Sequence, residues 1–296
     1  MKRNPDPTQM AFPPLERSAK RSFAFKVACP SYVYRAGYAD NVRHLAPFVD
    51  EIELLFFESR FDDSLPPRSL IRELGRLARC GDITYNVHLP SDIDLGHRDK
   101  RVRQRAVAVL TRLIDRCASL DPSTYTLHLN HNPSDPKIQQ WRTRAAASLE
   151  AVLAAGVPSR RISVENIDDD LEAAAALIRH LDLSVCLDMG HLMLHGLDVA
   201  TVFDRWQERI TMVHLHGVEG GRDHLPLDRC PMAQRAAVTD RLNRFDGVIS
   251  LEVFSVAALN ASITHLLSQE WRLRRSAGSA AARLLNPGAV ESFGDD

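Results

Sequence analysis

The sequence predicts a single α/β domain in which eight parallel strands, each followed by a helix, close into a (β/α)8 barrel. Three observations lead to this prediction. The chain has 296 residues, enough for a barrel of roughly 250 residues with a tail at each end. Short β-branched runs occur eight times, and each precedes a longer segment with helical spacing of apolar residues. No glycine-rich phosphate loop follows the first run, although an open doubly wound sheet would be expected to carry one.

Each predicted strand is a run rich in valine, isoleucine, leucine or aromatic residues. In chain order the runs are FKVACP from Phe25, EIELLFF from Glu51, ITYNVHLP from Ile83, TYTLHLN from Thr124, RISVENI from Arg161, LSVCLDMGH from Leu183, ITMVHLHG from Ile210 and VISLEVF from Val248. Between the third and fourth runs, apolar residues recur every three or four positions over residues 99–120, which predicts an amphipathic helix. We expect the barrel to span residues 23–271.

Both ends of the chain have a different composition. Residues 1–22 are proline-rich and charged, and residues 272–296 mix basic, small and Gly/Pro residues, so both are predicted to be solvated tails. No secretory signal or membrane-spanning run is evident. The five cysteines are far apart and form no C-x-x-C pair, which indicates neither a disulfide framework nor a thiolate zinc site. We therefore expect a cytoplasmic protein.

The charge balance argues against nucleic acid as the partner. Lys and Arg number 37 against 38 Asp and Glu, so the formal charge is −1 and no global positive field would attract a phosphate backbone.

Polar residues gather where the predicted strands end. These residues are His88, His128, Glu165, Asp188, His214 and Glu252. Two positions earlier, pointing the same way, the strands carry Asn86, Thr126, Ser163, Cys186 and Ser250. In a parallel barrel the carboxyl ends of the strands meet at one mouth, which brings the first set together. Each residue alone has a structural explanation, such as a helix N-cap for Asp188. Burying three carboxylates together would be costly, however, and a divalent metal cluster resolves that cost.

The ligand types indicate the kind of metal. Imidazole nitrogens are prominent, which favours zinc, manganese, iron or cobalt over magnesium or calcium, and we take zinc as the first expectation. His216 is predicted to support a ligand or to contact the substrate. The loop of residues 220–224 supplies Arg222 for an anion and Asp223 and His224 as further ligands.

The ordered motifs YNVHLP, TLHLN, ISVEN, CLDMGH, MVHLH, RDH and SLEVF resemble the xylose isomerase-like TIM barrels, specifically the endonuclease IV-type branch, from about Phe25 to Leu267. The resemblance implies one to three metal ions, with Glu165 bridging the first two. The implied ligand sets are His88, His128 and Glu165; Glu165, Asp188, His214 and Glu252; and His191, Asp223 and His224. Asp223 and His224 are adjacent, whereas the repair-enzyme pattern has one residue between them.

Residues 29–59, together with YNVHLPSDIDLG, are similar to the cobamide-remodelling phosphodiesterases of the CbiR type. This resemblance implies a small-molecule corrinoid substrate, a vitamin B12-like cobamide whose nucleotide-loop phosphodiester is hydrolysed. We expect water activated by the metals to be the nucleophile, with Glu165 or Glu252 positioning it.

Other functions stay open. A ketose epimerase would need only the set that contains Glu165 and Glu252, acting as acid and base, and would not require His88 or His128 as ligands. An aldose isomerase of this superfamily resembles enzymes with a lysine after the fifth-strand glutamate, and no lysine follows Lys137. Abasic-site DNA repair would share the metals but needs a basic groove. A non-catalytic binding module would be expected to lack ligands.

Overall fold

The computed structural model describes residues 12–56, 59, 65–131, 137–169 and 171–268, and it confirms the predicted closed barrel. The barrel strands are β1 (Lys26–Pro30), β2 (Glu51–Leu55), β3 (Thr84–His88), β4 (Tyr125–His128), β5 (Ile162–Glu165), β6 (Ser184–Asp188), β7 (Ile210–Leu215) and β10 (Val248–Leu251). All neighbouring pairs are parallel, and β10 closes the barrel against β1. After β7, strands β8 (Gly217–Glu219) and β9 (Arg222–Leu225) form a separate antiparallel hairpin.

Helices connect the barrel strands. They are α1 (Tyr38–Leu45), α2 (Arg68–Gly81), α3 (Lys100–Cys117), α4 (Ile138–Leu153), α5 (Ala175–His180), α6 (Met189–Leu194), α7 (Val199–Trp206), α8 (Met232–Leu242) and α9 (Val256–Leu266). Helix α3 matches the amphipathic segment predicted at 99–120. It begins after Asp99, whose side chain caps it by accepting a hydrogen bond from the Arg101 N–H. No helix among the described residues is both long and apolar enough to span a bilayer.

Strand alternation divides apolar from polar side chains, as β2 illustrates. Ile52 and Leu54 are fully buried in the hydrophobic core, while Glu51 and Glu53 accept hydrogen bonds from side chains of other strands. The small residues predicted to lie one layer below the mouth are all fully buried: Asn86, Thr126, Ser163, Cys186 and Ser250. The barrel interior is therefore polar near the mouth and closed to solvent beneath it.

The prediction of a solvated tail over residues 1–22 is wrong for residues 12–22, which pack on the barrel. Leu15 and Ala19 are buried, and the Phe12 ring stacks on His44 with the ring centroids 4.1 Å apart. The Ala19 N–H also donates to the Phe48 carbonyl at 2.9 Å. The apolar residues of this segment show no periodicity because they pack individually against partners elsewhere in the chain. Residues 1–11 and the predicted tail 272–296 lie outside the described residues.

Leu15→Ala is expected to lower the free energy of unfolding by about 2–5 kcal/mol, because it removes a buried side chain from a packed site. Val102→Ala is the control, since Val102 is 38% exposed on α3 and should change stability little. Chemical denaturation of both variants measures the difference. A Leu15→Ala variant as stable as the Val102→Ala variant would show that the segment does not belong to the folded core.

Candidate metal centre

The barrel register brings the predicted rim residues together at the carboxyl ends of the strands. His128 at the end of β4 pairs in register with Glu165 at the end of β5. Asp188 at the end of β6 pairs with His214 on β7. Glu252 directly follows β10, whose Ser250 is in register with His214. Residues from five strands therefore share one mouth.

Two histidines lie on the same oxygen of Glu165. His88 Nε2 is 3.0 Å and His128 Nε2 is 2.8 Å from Glu165 Oε2. The Nδ1 of His88 lies 2.9 Å from the Leu89 carbonyl oxygen, which can only accept, so Nδ1 carries the proton and Nε2 faces the mouth. One ligand atom from each of these three residues lies within 4.8 Å of the others, which defines the first group.

The other oxygen of Glu165 faces a second group. His214 Nδ1 is 2.8 Å from Glu165 Oε1 and 3.1 Å from Glu252 Oε2. With Asp188, these residues supply four ligand atoms within 4.8 Å of one another. Glu165 thus places one carboxylate oxygen in each group, which is the arrangement of a bridging ligand.

Asp188 combines the predicted helix cap with a free ligand atom. Its Oδ1 accepts a hydrogen bond from the His191 N–H at 2.7 Å and caps α6. The Asn166 side chain fixes the Asp188 backbone, donating to its carbonyl at 3.0 Å and accepting from its N–H at 2.8 Å. The Oδ2 atom and Glu252 Oε2 are both buried and make no well-formed hydrogen bond, although His191 Nδ1 is 3.3 Å from the first and His214 Nδ1 is 3.1 Å from the second. Buried carboxylate oxygens that face imidazole nitrogens in this way fit a cation that both would ligate.

The pKa values of residues in the first two groups also favour a bound cation. Burial alone would lower the pKa of His88, but its hydrogen bond to Glu165 and the nearby carboxylates outweigh burial and raise it to about 9. Burial would raise the pKa of Glu252, but His214 outweighs burial and lowers it to about 2. The carboxylates thus strongly favour positive charge beside them. A divalent cation held by these residues would supply that charge.

A third group consists of three imidazoles beside the second. His191, His216 and His224 place one ring nitrogen each within 4.8 Å of the others. The His224 backbone N–H donates to His216 Nδ1 at 3.0 Å, and His216 Nε2 lies 3.3 Å from Asp188 Oδ1. His216 is fully buried, so it supports this group from below the mouth. A Cβ at Gly190 would lie 2.1 Å from the His216 ring, which explains the glycine.

Two further residues of the hairpin, Asp223 and Arg222, differ in their distance from the clusters. Asp223 Oδ2 is 3.6 Å from His191 Nε2, and its side chain is 39% exposed. Arg222 is exposed on β9 and does not line the cavity at the mouth. His224 turns inward with a φ of 47°, and its Nδ1 lies 3.0 Å from the Glu252 carbonyl oxygen.

The structure also reveals residues that the sequence analysis left out. Tyr32 and Phe254 line an open cavity of about 390 Å³ over the clusters and are 55% and 37% exposed. Glu53 lies inside the barrel beneath His214. The sequence signal for Glu53 is the pair of glutamates at alternate positions of a barrel strand, where inward positions are otherwise small or apolar.

Comparison with known proteins agrees with this architecture. The family model of xylose isomerase-like TIM barrels matches residues 42–271, so the chain belongs to that family. No curated protein is detectably similar in sequence.

Solved structures share the fold at low sequence identity. A D-tagatose 3-epimerase-like protein aligns with a TM-score of 0.70 and 19% identity over 84% of this chain and 97% of its own. Endonuclease IV from Thermus thermophilus aligns with a TM-score of 0.65 and 23% identity over 83% of this chain and 98% of its own. The 3-keto-D-glucoside 4-epimerase YcjR from E. coli aligns with a TM-score of 0.64 and 13% identity over 82% of this chain and 98% of its own. These likenesses support the fold and leave open which reaction this chain catalyses.

We expect the protein to retain zinc after dialysis and His128→Ala to retain one equivalent less, because the first group loses a ligand. His44→Ala is the control, since this histidine stacks on Phe12 away from the mouth. Inductively coupled plasma mass spectrometry gives metal per chain. Equal zinc content in the His128→Ala variant and the parent protein would remove His128 from the metal site.

Proposed function

We propose that this protein is a metal-dependent phosphodiesterase that hydrolyses the nucleotide-loop phosphodiester of cobamides. The observation that carries the proposal is the position of Glu165, with Oε2 between His88 and His128 and Oε1 beside His214. Two adjacent metal groups joined by a carboxylate suit a reaction centre that bears two non-bridging oxygens, as a phosphodiester does.

The residues of the two groups would hold divalent transition metals, with zinc as the first expectation. When bound, such metals stabilise negative charge on phosphate oxygens and acidify water. Glu165 and Glu252 both line the cavity, and both face imidazoles: Glu165 Oε1 is 2.8 Å and Glu252 Oε2 is 3.1 Å from His214 Nδ1. Both therefore stay candidates for the glutamate that positions the attacking water.

The walls of the mouth favour a substrate with apolar surface. Apart from residues of the three groups, the described residues that line the cavity are Tyr32, Ser91 and Phe254. A ketose would need a partner for each hydroxyl group, because a buried hydroxyl without one is costly. These walls supply two side-chain hydroxyls and two exposed aromatic rings, and such rings stack on planar groups. A corrinoid nucleotide offers a planar aromatic base beside its phosphodiester.

A sugar epimerase is the second candidate, and the four residues of the second group favour it. Glu165, Asp188, His214 and Glu252 suffice for one metal with two flanking carboxylates. Such an enzyme needs a carboxylate oxygen free to take a proton from carbon. On Glu165, one oxygen is shared by two histidines and the other contacts His214, so that role is poorly supported.

The proposal also covers the cellular compartment of the enzyme and the class of its partner. All five cysteines are free, which is consistent with a reducing cytoplasm. The near-neutral charge argues against a nucleic acid partner, so abasic-site DNA repair ranks below the two small-molecule reactions.

The deciding experiment incubates the zinc-loaded protein with a cobamide and follows the corrinoid by chromatography. We expect a corrinoid without its nucleotide base to form, and metal chelation to stop its formation. Abasic DNA and a ketose are assayed in parallel. Turnover of either one without turnover of the cobamide would replace the proposed substrate.

Glu165→Gln is expected to reduce cobamide hydrolysis by roughly 10²–10⁴-fold, the range for loss of a group that activates the attacking water, because the carboxylate between the first two groups loses its charge. Glu150→Gln is the control, since Glu150 is exposed on α4. Steady-state rates are compared after circular dichroism has shown that both variants are folded. Activity of the Glu165→Gln variant within twofold of the parent would exclude Glu165 from the reaction.

Phe254→Ala is expected to raise KM for the cobamide by about 10-fold with a smaller effect on kcat, since a lost aromatic stacking contact weakens binding by about 1.4 kcal/mol. Met232→Ala, at a residue that is 82% exposed on α8, should leave both constants unchanged. An unchanged KM in the Phe254→Ala variant would mean that the aromatic wall does not hold the substrate.

A further inference from the structure

Glu53 lies inside the barrel, on a strand that supplies none of the ligands described above. Its side chain is fully buried, with one oxygen toward β7 and the other toward β10. Glu53 Oε1 is 3.0 Å from His214 Nε2, and Oε2 accepts a hydrogen bond from the Ser250 hydroxyl at 2.6 Å. The carboxylate therefore contacts the side of His214 that faces away from the metal groups.

Carboxylate oxygens lie on both sides of the His214 ring, and only those on the Nδ1 side belong to the metal groups. An ionised carboxylate only accepts hydrogen bonds, so if Nδ1 ligates a cation, the proton of neutral His214 lies on Nε2 and is donated to Glu53. The Nδ1 atom is the one that faces Glu165 Oε1 at 2.8 Å and Glu252 Oε2 at 3.1 Å.

We propose that Glu53 is a positioning residue that fixes the tautomer and orientation of His214, and so makes Nδ1 a strong ligand of a divalent cation in the second group. A carboxylate that accepts the distal N–H of a metal-binding imidazole also increases the electron density on the ligand nitrogen. The Ser250 hydrogen bond holds Glu53 in place from the neighbouring strand. The proposal concerns metal binding and holds whichever substrate the mouth accepts.

Glu51 provides a matched comparison two residues earlier on β2. It is equally buried, but it accepts hydrogen bonds from Ser123 Oγ at 2.5 Å and Asn86 Nδ2 at 3.0 Å, and Lys26 Nζ is 3.4 Å away. None of these partners is a residue of the metal groups. Glu51 thus shares the burial and charge of Glu53 and lacks its contact with His214.

The test compares Glu53→Gln with Glu51→Gln by titrating each protein with zinc in competition with a chromogenic chelator. Glu53→Gln is expected to weaken zinc binding by about 10- to 100-fold, because the carboxylate partner of His214 is replaced by a neutral amide. Glu51→Gln should bind zinc like the parent protein. The cobalt-loaded proteins give a second readout, since the visible absorption of Co²⁺ changes with its ligands and should shift in the Glu53→Gln variant alone.

Ser250→Ala keeps the charge of Glu53 and removes the hydrogen bond to its Oε2, so it tests the same idea in a variant that retains the buried carboxylate. We expect a smaller loss of zinc affinity than with Glu53→Gln. Parent-like zinc affinity in both Glu53→Gln and Ser250→Ala would overturn the proposal. An equal loss of affinity in Glu51→Gln would also overturn it, because burial of charge alone would then explain the effect.

Discussion

The electrostatics of the barrel mouth constrain the rest of this structure. Four carboxylates at or just beneath the mouth are buried: Glu53, Glu165, Asp188 and Glu252. Each would cost several kcal/mol if left without compensation, and imidazoles compensate only when they are protonated. A divalent cation would satisfy Glu165, Asp188 and Glu252 while the imidazoles stay neutral and act as ligands, and Glu53 is compensated by His214 Nε2 and the Ser250 hydroxyl. The closed barrel makes this concentration of charge possible, because its hydrogen-bonded strands hold the side chains at fixed separations.

The sequence was sufficient to predict the barrel and most of its rim. Eight strand runs alternate with helical segments, and strand geometry has a period of two, so the residue at each carboxyl end points inward with known parity. That parity brings His128 to Glu165 and Asp188 to His214 in the observed register. The fold supplies this proximity, so these residues could be predicted to meet without any knowledge of individual contacts.

Other features depend on contacts that no local pattern encodes. Glu53 lies one layer below the rim, and its role is visible only when the second nitrogen of His214 is located. The side-chain positions in the hairpin after β7 could not be predicted from the sequence either. Neighbouring residues of a strand ordinarily point to opposite faces, yet Asp223 Oδ2 comes within 3.6 Å of His191 Nε2 while His224 joins the third group. His224 turns inward at a positive φ, while Asp223 stays 39% exposed. Residues 12–22 pack through single apolar side chains whose partners are distant in sequence.

The choice between reactions depends on one carboxylate and its neighbours more than on the barrel, since barrels of this family host different chemistries. A glutamate with one free oxygen can accept a proton from a substrate carbon. Glu165 instead has Oε2 between His88 and His128 and Oε1 beside His214, so it would offer one oxygen to a cation in each group. The two histidines therefore change what Glu165 can do without moving it. A mouth lined by Tyr32 and Phe254 favours the same outcome, because aromatic walls bind a planar group beside a phosphodiester better than they bind a polyhydroxylated chain.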